Sequence, residues 1–188
     1  MQKLLPLFIL LLTASGFGQS FKEKIAKLDK PKFYKVDYDK FKDQSTVVTP
    51  TTLQKRAKGR SPGFGVQVGI TFKGIEPKDG VLYWIAFANR DTEWQMLNIE
   101  TAILLADGKR IDLIGGQRTS KVGSGGRLFG SLSGSSVWVD EKMFFSLAAE
   151  VAQTLSESKV VEVQIGKIEV VFVNETLIYL KNLLSLSR

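Results

Sequence analysis

Segment after segment of this chain alternates apolar and polar residues with period two, and the alternation breaks at short turn signals. Val66, Val68, Ile70 and Phe72 alternate with Gln67, Gly69, Thr71 and Lys73. Leu97, Ile99, Ile103 and Leu105 keep the same period up to Asp107-Gly108, and Ile111 and Leu113 continue it beyond. Val161, Val163 and Ile165 lead into Gly166-Lys167, after which come Ile168, Val170 and Phe172. A strand turns successive side chains to opposite faces, so this pattern buries one face and wets the other. Asp-Gly suits a type I′ hairpin, whose two central residues both need positive φ. Val81 to Ala88 is apolar at nearly every position, which predicts a central strand covered on both faces. The expected fold is mainly β: an antiparallel β-sandwich-like domain with two late helices, with an open α+β sheet as the alternative.

Helical spacing is confined to a few places. Phe21, Ile25 and Leu28 predict a short amphipathic helix that Pro31 ends. Ser45 to Thr49 reads as a short strand, and Pro50 to Pro62 as a loop or flexible segment. Gly74 to Gly80 and Asn89 to Glu93 read as turns, and Gly115 to Gly134 as a glycine- and serine-rich stretch anchored by Leu128, Phe129 and Leu132. Asp140 is expected to cap a helix carrying Phe144, Leu147, Ala148, Val151 and Leu155. Asn174 is expected to cap a last one carrying Leu177, Leu180, Leu183 and Leu184.

The N-terminus has the pattern of a secretory signal: Lys3, an apolar run Leu4–Leu12, then Ala14, Ser15, Gly16 and Gly18. That run is too short for a bilayer core of roughly 30 Å, so no transmembrane anchor is expected. The expected organisation is a signal peptide over 1–18, a basic N-terminal arm over 19–62 and a β-rich globular domain over 63–188. The arm has twelve Lys or Arg against five Asp or Glu, whereas residues 61–188 have thirteen against fourteen. The basic pI near 9.5 is therefore a property of the arm, which could touch anionic surfaces. No arginine-and-aromatic pattern marks it for nucleic acid, and export argues against that partner.

Composition excludes several chemistries. The chain has no Cys and no His. It can form no disulfide, thiolate nucleophile, Cys-ligated metal, Ser-His-Asp triad or imidazole metal site. No cofactor or metal is expected. Gly123-Ser-Gly-Gly126 fails the dinucleotide pattern, because Leu128 stands where the third glycine belongs. Ser156-Glu-Ser-Lys159 has the Ser-x-x-Lys spacing but lacks its companion motifs and closes a helix instead of opening one. The remaining acid–base candidates are Asp91 with Glu93, and Asp140 with Glu141. Trp84 is expected in the core, and Trp138 as a hydrophobic staple ahead of a helix. Trp94 is expected to fold over the end of the sheet. The alternative is an exposed sugar-stacking indole with Arg90, Asp91 and Glu93 arranged around it as a ligand-binding set.

Tyr38-Asp-Lys-Phe-Lys-Asp43, Ser45-Thr-Val47, Trp94, Leu104-Leu-Ala-Asp-Gly108, Phe144 and Val161-Glu-Val-Gln-Ile-Gly166 together resemble a group of exported bacterial proteins with no established function. The resemblance implies one bacterial envelope domain, periplasmic or extracellular, and carries over no catalytic residue. The expected function is non-enzymatic binding of an envelope protein, a glycan or a small ligand. The competing expectation is a hydrolase that uses a carboxylate pair.

Overall fold

The computed structural model describes residues 16–56, 63–78, 80–125 and 136–187. In chain order, α1 (Gly16–Ala26) and a single 3-10 turn (Pro31–Phe33) precede the hairpin β1 (Lys35–Asp39) and β2 (Gln44–Val48). Two short strands follow, β3 (Thr52–Leu53) and β4 (Lys55–Arg56), then the long β5 (Gly65–Lys73) and β6 (Leu82–Asp91). Next come β7 (Thr101–Ala106), β8 (Lys109–Ile114), β9 (Gln117–Gly125) and β10 (Ser136–Leu147). The chain closes with α2 (Ala149–Glu157), the hairpin β11 (Val161–Ile165) and β12 (Ile168–Val171), and α3 (Asn174–Leu186).

The strands form two antiparallel sheets. The larger has the order β1-β2-β5-β6-β10-β9, with β3 also on β5, and the smaller has the order β4-β12-β11-β7-β8. The fold is mainly β and sandwich-like, with α2 and α3 late in the chain, as the alternation predicts. One hydrophobic cluster joins Val66, Ile85 and Phe145 of the larger sheet to Leu104, Val163 and Val170 of the smaller. The helices close it with Leu155 from α2 and Leu180 from α3. Asp107 and Gly108 have φ of 48° and 83°, the pair of positive values that a type I′ turn requires. β6 lies between β5 and β10, the central place its composition predicts.

The basic arm is built into this architecture. Phe21, Ile25, Tyr34 and Val47 belong to the same cluster, and Phe21 meets Phe72 edge to face at 5.4 Å. The first half of the expected 50–62 loop is also structured, since β3 pairs with β5 and β4 with β12. A buried polar knot holds it. The Gln54 amide donates to the Thr52 carbonyl at 2.6 Å and to the Thr176 hydroxyl at 3.1 Å, and its oxygen accepts the Val173 N–H at 2.8 Å. The run Leu4–Leu12 with Ala14 and Ser15, residues 57–62, Gly126, and the anchors Leu128, Phe129 and Leu132 lie outside the described residues.

The expected helix opened by Asp140 is replaced by strand. Val139, Glu141, Met143, Phe145 and Leu147 are all buried, a period of two through Leu147, and α2 starts only at Ala149. The helical stripe 144, 147, 148 and 151 shares only Leu147 with this buried set. Pairing with β6 on one side and β9 on the other selects the strand. Asn174 does not cap α3 either: Val173 is the N-cap, without a side-chain hydrogen bond. In β7 the buried residues are Ala102, Leu104 and Ala106, so Ile103 and Leu105 face outward. Among the described residues no helix is long and apolar enough to cross a membrane.

Candidate ligand-binding site

β6 and β10 pair over nine residues, from Tyr83 opposite Leu147 to Asp91 opposite Val139. Period two divides their side chains. Tyr83, Ile85 and Phe87 face the core together with Met143 and Phe145. Trp84, Ala86, Ala88 and Arg90 stand on the outer face together with Trp138, Asp140, Lys142 and Phe144. The tryptophans are thus not where the sequence suggests. Trp84 is half-buried on the outer face, 5.9 Å from Phe144 by ring centroids, and its indole covers Gly69 where any Cβ would collide with it. Trp138 is a strand residue that covers Gly123 in the same way. Gly123, the first residue of the glycine motif, is a seat for an indole.

A cleft of about 480 Å³ opens on this sheet, with Leu53, Gly63, Ala88, Arg90, Lys121 and Lys142 in its lining. Ala88 leaves room where a longer outward side chain would fill the cleft. Arg90 and Asp140 are cross-strand partners and form a two-point ion pair, Nε to Oδ1 at 2.5 Å and Nη2 to Oδ2 at 3.0 Å. Arg90 lies 5.5 Å from the centroid of Trp138, within cation–π range. Its guanidinium holds the Asp140 carboxyl below the usual aspartate range.

Lys142 is different. Its ammonium donates to Gln67 Oε1 at 2.5 Å and lies 4.7 Å from the centroid of Phe144. The Gln67 amide nitrogen donates to the Thr49 carbonyl at 2.8 Å, which turns the amide oxygen toward the lysine. Among the described residues no carboxylate comes within ion-pair distance of Lys142. Burial lowers its pKa, since a charged amine loses hydration in the cleft. With Asp140 held by Arg90, the cleft keeps an uncompensated positive charge.

The sequence-predicted set divides. Arg90 belongs to the cleft. Asp91 is still in strand β6, so the expected turn starts later, and its Oδ1 accepts the Thr92 N–H at 2.7 Å. Trp94 is 41% exposed, which overturns the expectation that it folds over the sheet. Glu93 is exposed beside it. Neither Trp94 nor Glu93 lines the cleft, and Arg90 is turned toward Asp140 and Trp138. The second acid pair also separates. Asp140 points outward, whereas Glu141 is 1% exposed and accepts the N–H groups of Gln95 at 2.7 Å and Met96 at 2.9 Å. Successive strand residues face opposite ways, so these two carboxyls cannot act on one substrate from one side.

Sequence reading missed Lys142, Gln67 and Lys121. Lys142 had one available signal, its place two residues after Asp140 and therefore on the same face of a strand, but the helical reading of 140–155 concealed it. Among the described residues no cluster of acidic side chains could hold a metal ion. Comparison with family models, curated proteins and solved structures finds no match to this chain.

Proposed function

We propose that the chain is an exported bacterial envelope protein that binds an anionic small ligand in the cleft lined by β3, β6, β9 and β10, with an acidic sugar the best-fitting class. The observation that carries this reading is Lys142: a partly desolvated ammonium held by a neutral amide and an aromatic face, with no carboxylate of the described residues within ion-pair distance. Burying a cation costs free energy unless an anion or strong acceptors compensate, so such a site is prepared for an incoming negative group. Phe144 lies against Lys142 and Trp138 against Arg90, so each of these two cleft cations is backed by an aromatic face, and the N-terminal leader pattern supports export. The absence of Cys and His, and the opposed directions of Asp140 and Glu141, favour binding over hydrolysis.

The test is calorimetric titration with uronic acids and N-acetylmuramic acid beside their neutral parent sugars, together with a glycosidase and esterase panel. The acids are expected to bind more tightly than the neutral parents, with affinity falling as salt rises. Lys142→Met, which keeps the length and removes the charge, is expected to weaken binding about tenfold, a loss typical of one charge-assisted hydrogen bond. Equal affinity for neutral and acidic sugars, or turnover on the panel, would refute the reading.

A further inference from the structure

We infer that the protein self-associates through the free edge of β1, as a two-fold dimer in which β1 pairs antiparallel with β1 of a second copy. β1 is the end strand of the larger sheet. It pairs with β2 along one side, and among the described residues no strand pairs with its other side. An end strand presents a row of backbone donors and acceptors that another strand can take up. On β1 this row comes with exposed apolar side chains. Val36 and Tyr38 lie opposite Val47 and Ser45, both buried, so they stand on the core face of the sheet. They are nevertheless 45% and 44% exposed, and a strand added at this edge would continue the core face beside them.

Charge selects the partner. Lys35 and Asp37 stand on the opposite face of β1, both exposed, and among the described residues neither has an ion-pair partner. Residues directly opposite in an antiparallel pair share a face, so only a few registers of β1 on itself continue the sheet. With the two-fold at Val36, Lys35 lies opposite Asp37 of the second copy, and Asp37 opposite the Lys35 of that copy. Val36 then meets its own equivalent. Tyr38 lies opposite Tyr34 of the second copy, where the backbone is already extended with φ −83° and ψ 123°. A two-fold at Asp37 would set two aspartates face to face, and one at Tyr38 would set Asp37 against Asp39. One register thus matches every charge, and it makes the same patch serve both copies. A partner strand with charge of one sign would leave Lys35 or Asp37 opposed by its like. The end strand β8 has a similar pair in Arg110 and Asp112, but there the two charges are matched to each other at 2.8 Å.

The test is sedimentation velocity on the full chain at concentrations up to about 1 mM, the reach of a small and transient interface. The native protein is expected to show a reversible monomer–dimer equilibrium that weakens as salt rises. Lys35→Asp and Asp37→Lys each set two like-charge pairs across the two-fold, and each should weaken dimerisation about tenfold. The two substitutions in one chain place opposite charges face to face again, and should restore native self-association. An equimolar mixture of the single variants should form heterodimers for the same reason. Both side chains are exposed, so melting curves should remain those of the native protein. A native chain that stays monomeric overturns the inference. So does a dimer that the single reversals leave intact, or one that the double reversal fails to restore, since either places the contact on another surface or in another register.

Discussion

Glu141 does at the residue scale what its neighbour Asp140 cannot. Its buried carboxylate accepts two backbone donors from the segment 92–100, and so holds the loop that displays Trp94. Glu141→Gln replaces one acceptor oxygen with a donor facing an N–H, and should cost about 1–3 kcal/mol of stability by chemical denaturation. Proteolysis should then cut first within 92–100. Trp94→Ala should behave differently. An exposed indole leaves no cavity, so its removal should change stability by no more than about 0.5 kcal/mol, against the 3–5 kcal/mol expected of a buried one. The two variants compared in one melting experiment separate the residue that positions the loop from the residue the loop presents.

At the scale of elements, the β7–β8 hairpin is held at its turn from outside. Asp107 accepts the N–H groups of Lys159 at 3.0 Å and Val160 at 2.9 Å, which joins this turn to the strand entry of β11. Those backbone donors hold the Asp107 carboxyl below its usual pKa. A carboxyl depressed in the folded state contributes stability above its unfolded pKa, and that contribution is lost as pH falls through the folded value. Asp107→Asn should therefore lower the melting point at neutral pH and reduce its slope below about pH 4. Gly108→Ala puts a side chain at φ 83° and should cost about 1 kcal/mol, measured by denaturant titration. The short strands β3 and β4 depend on tertiary contacts alone. Gln54→Leu would leave the Val173 N–H without its acceptor, and should destabilise the joint between β3, β4 and α3 by about 1–3 kcal/mol.

For the molecule as a whole, the absence of histidine removes the side chain that ordinarily titrates between pH 5 and 8. The melting point should be nearly flat across that range. It should fall below about pH 4, as Asp107, Asp112, Asp140 and Glu175, all with lowered pKa, become protonated. At the alkaline end, burial pushes the Tyr34 hydroxyl up to about 12, so stability should be lost as pH rises from its unfolded value near 10 through that range. Scanning calorimetry across pH checks both limbs. The sequence by itself determined the mainly-β class, the hairpins at Asp107-Gly108 and Gly166-Lys167, the late helix with Leu177 and Leu180, and the exclusion of thiol and imidazole chemistry. These follow from residue type, local period and turn geometry, which act within a few positions. It did not determine the state of 140–147, where Phe144 and Leu147 also fit a helical stripe with Ala148 and Val151, and pairing with β6 and β9 decides. Nor did it reveal the face of Trp84 or Trp138, which depends on glycines on neighbouring strands. Of the ligand-binding set only Arg90 reached the cleft, and it did so beside Asp140, an acid–base candidate fifty positions away. The cleft itself is made of outward residues from strands distant in sequence. Its positive charge exists only because Asp140 is matched to Arg90 across the sheet while Lys142 is matched to a neutral Gln67, and register between strands is set by tertiary pairing that no local pattern encodes.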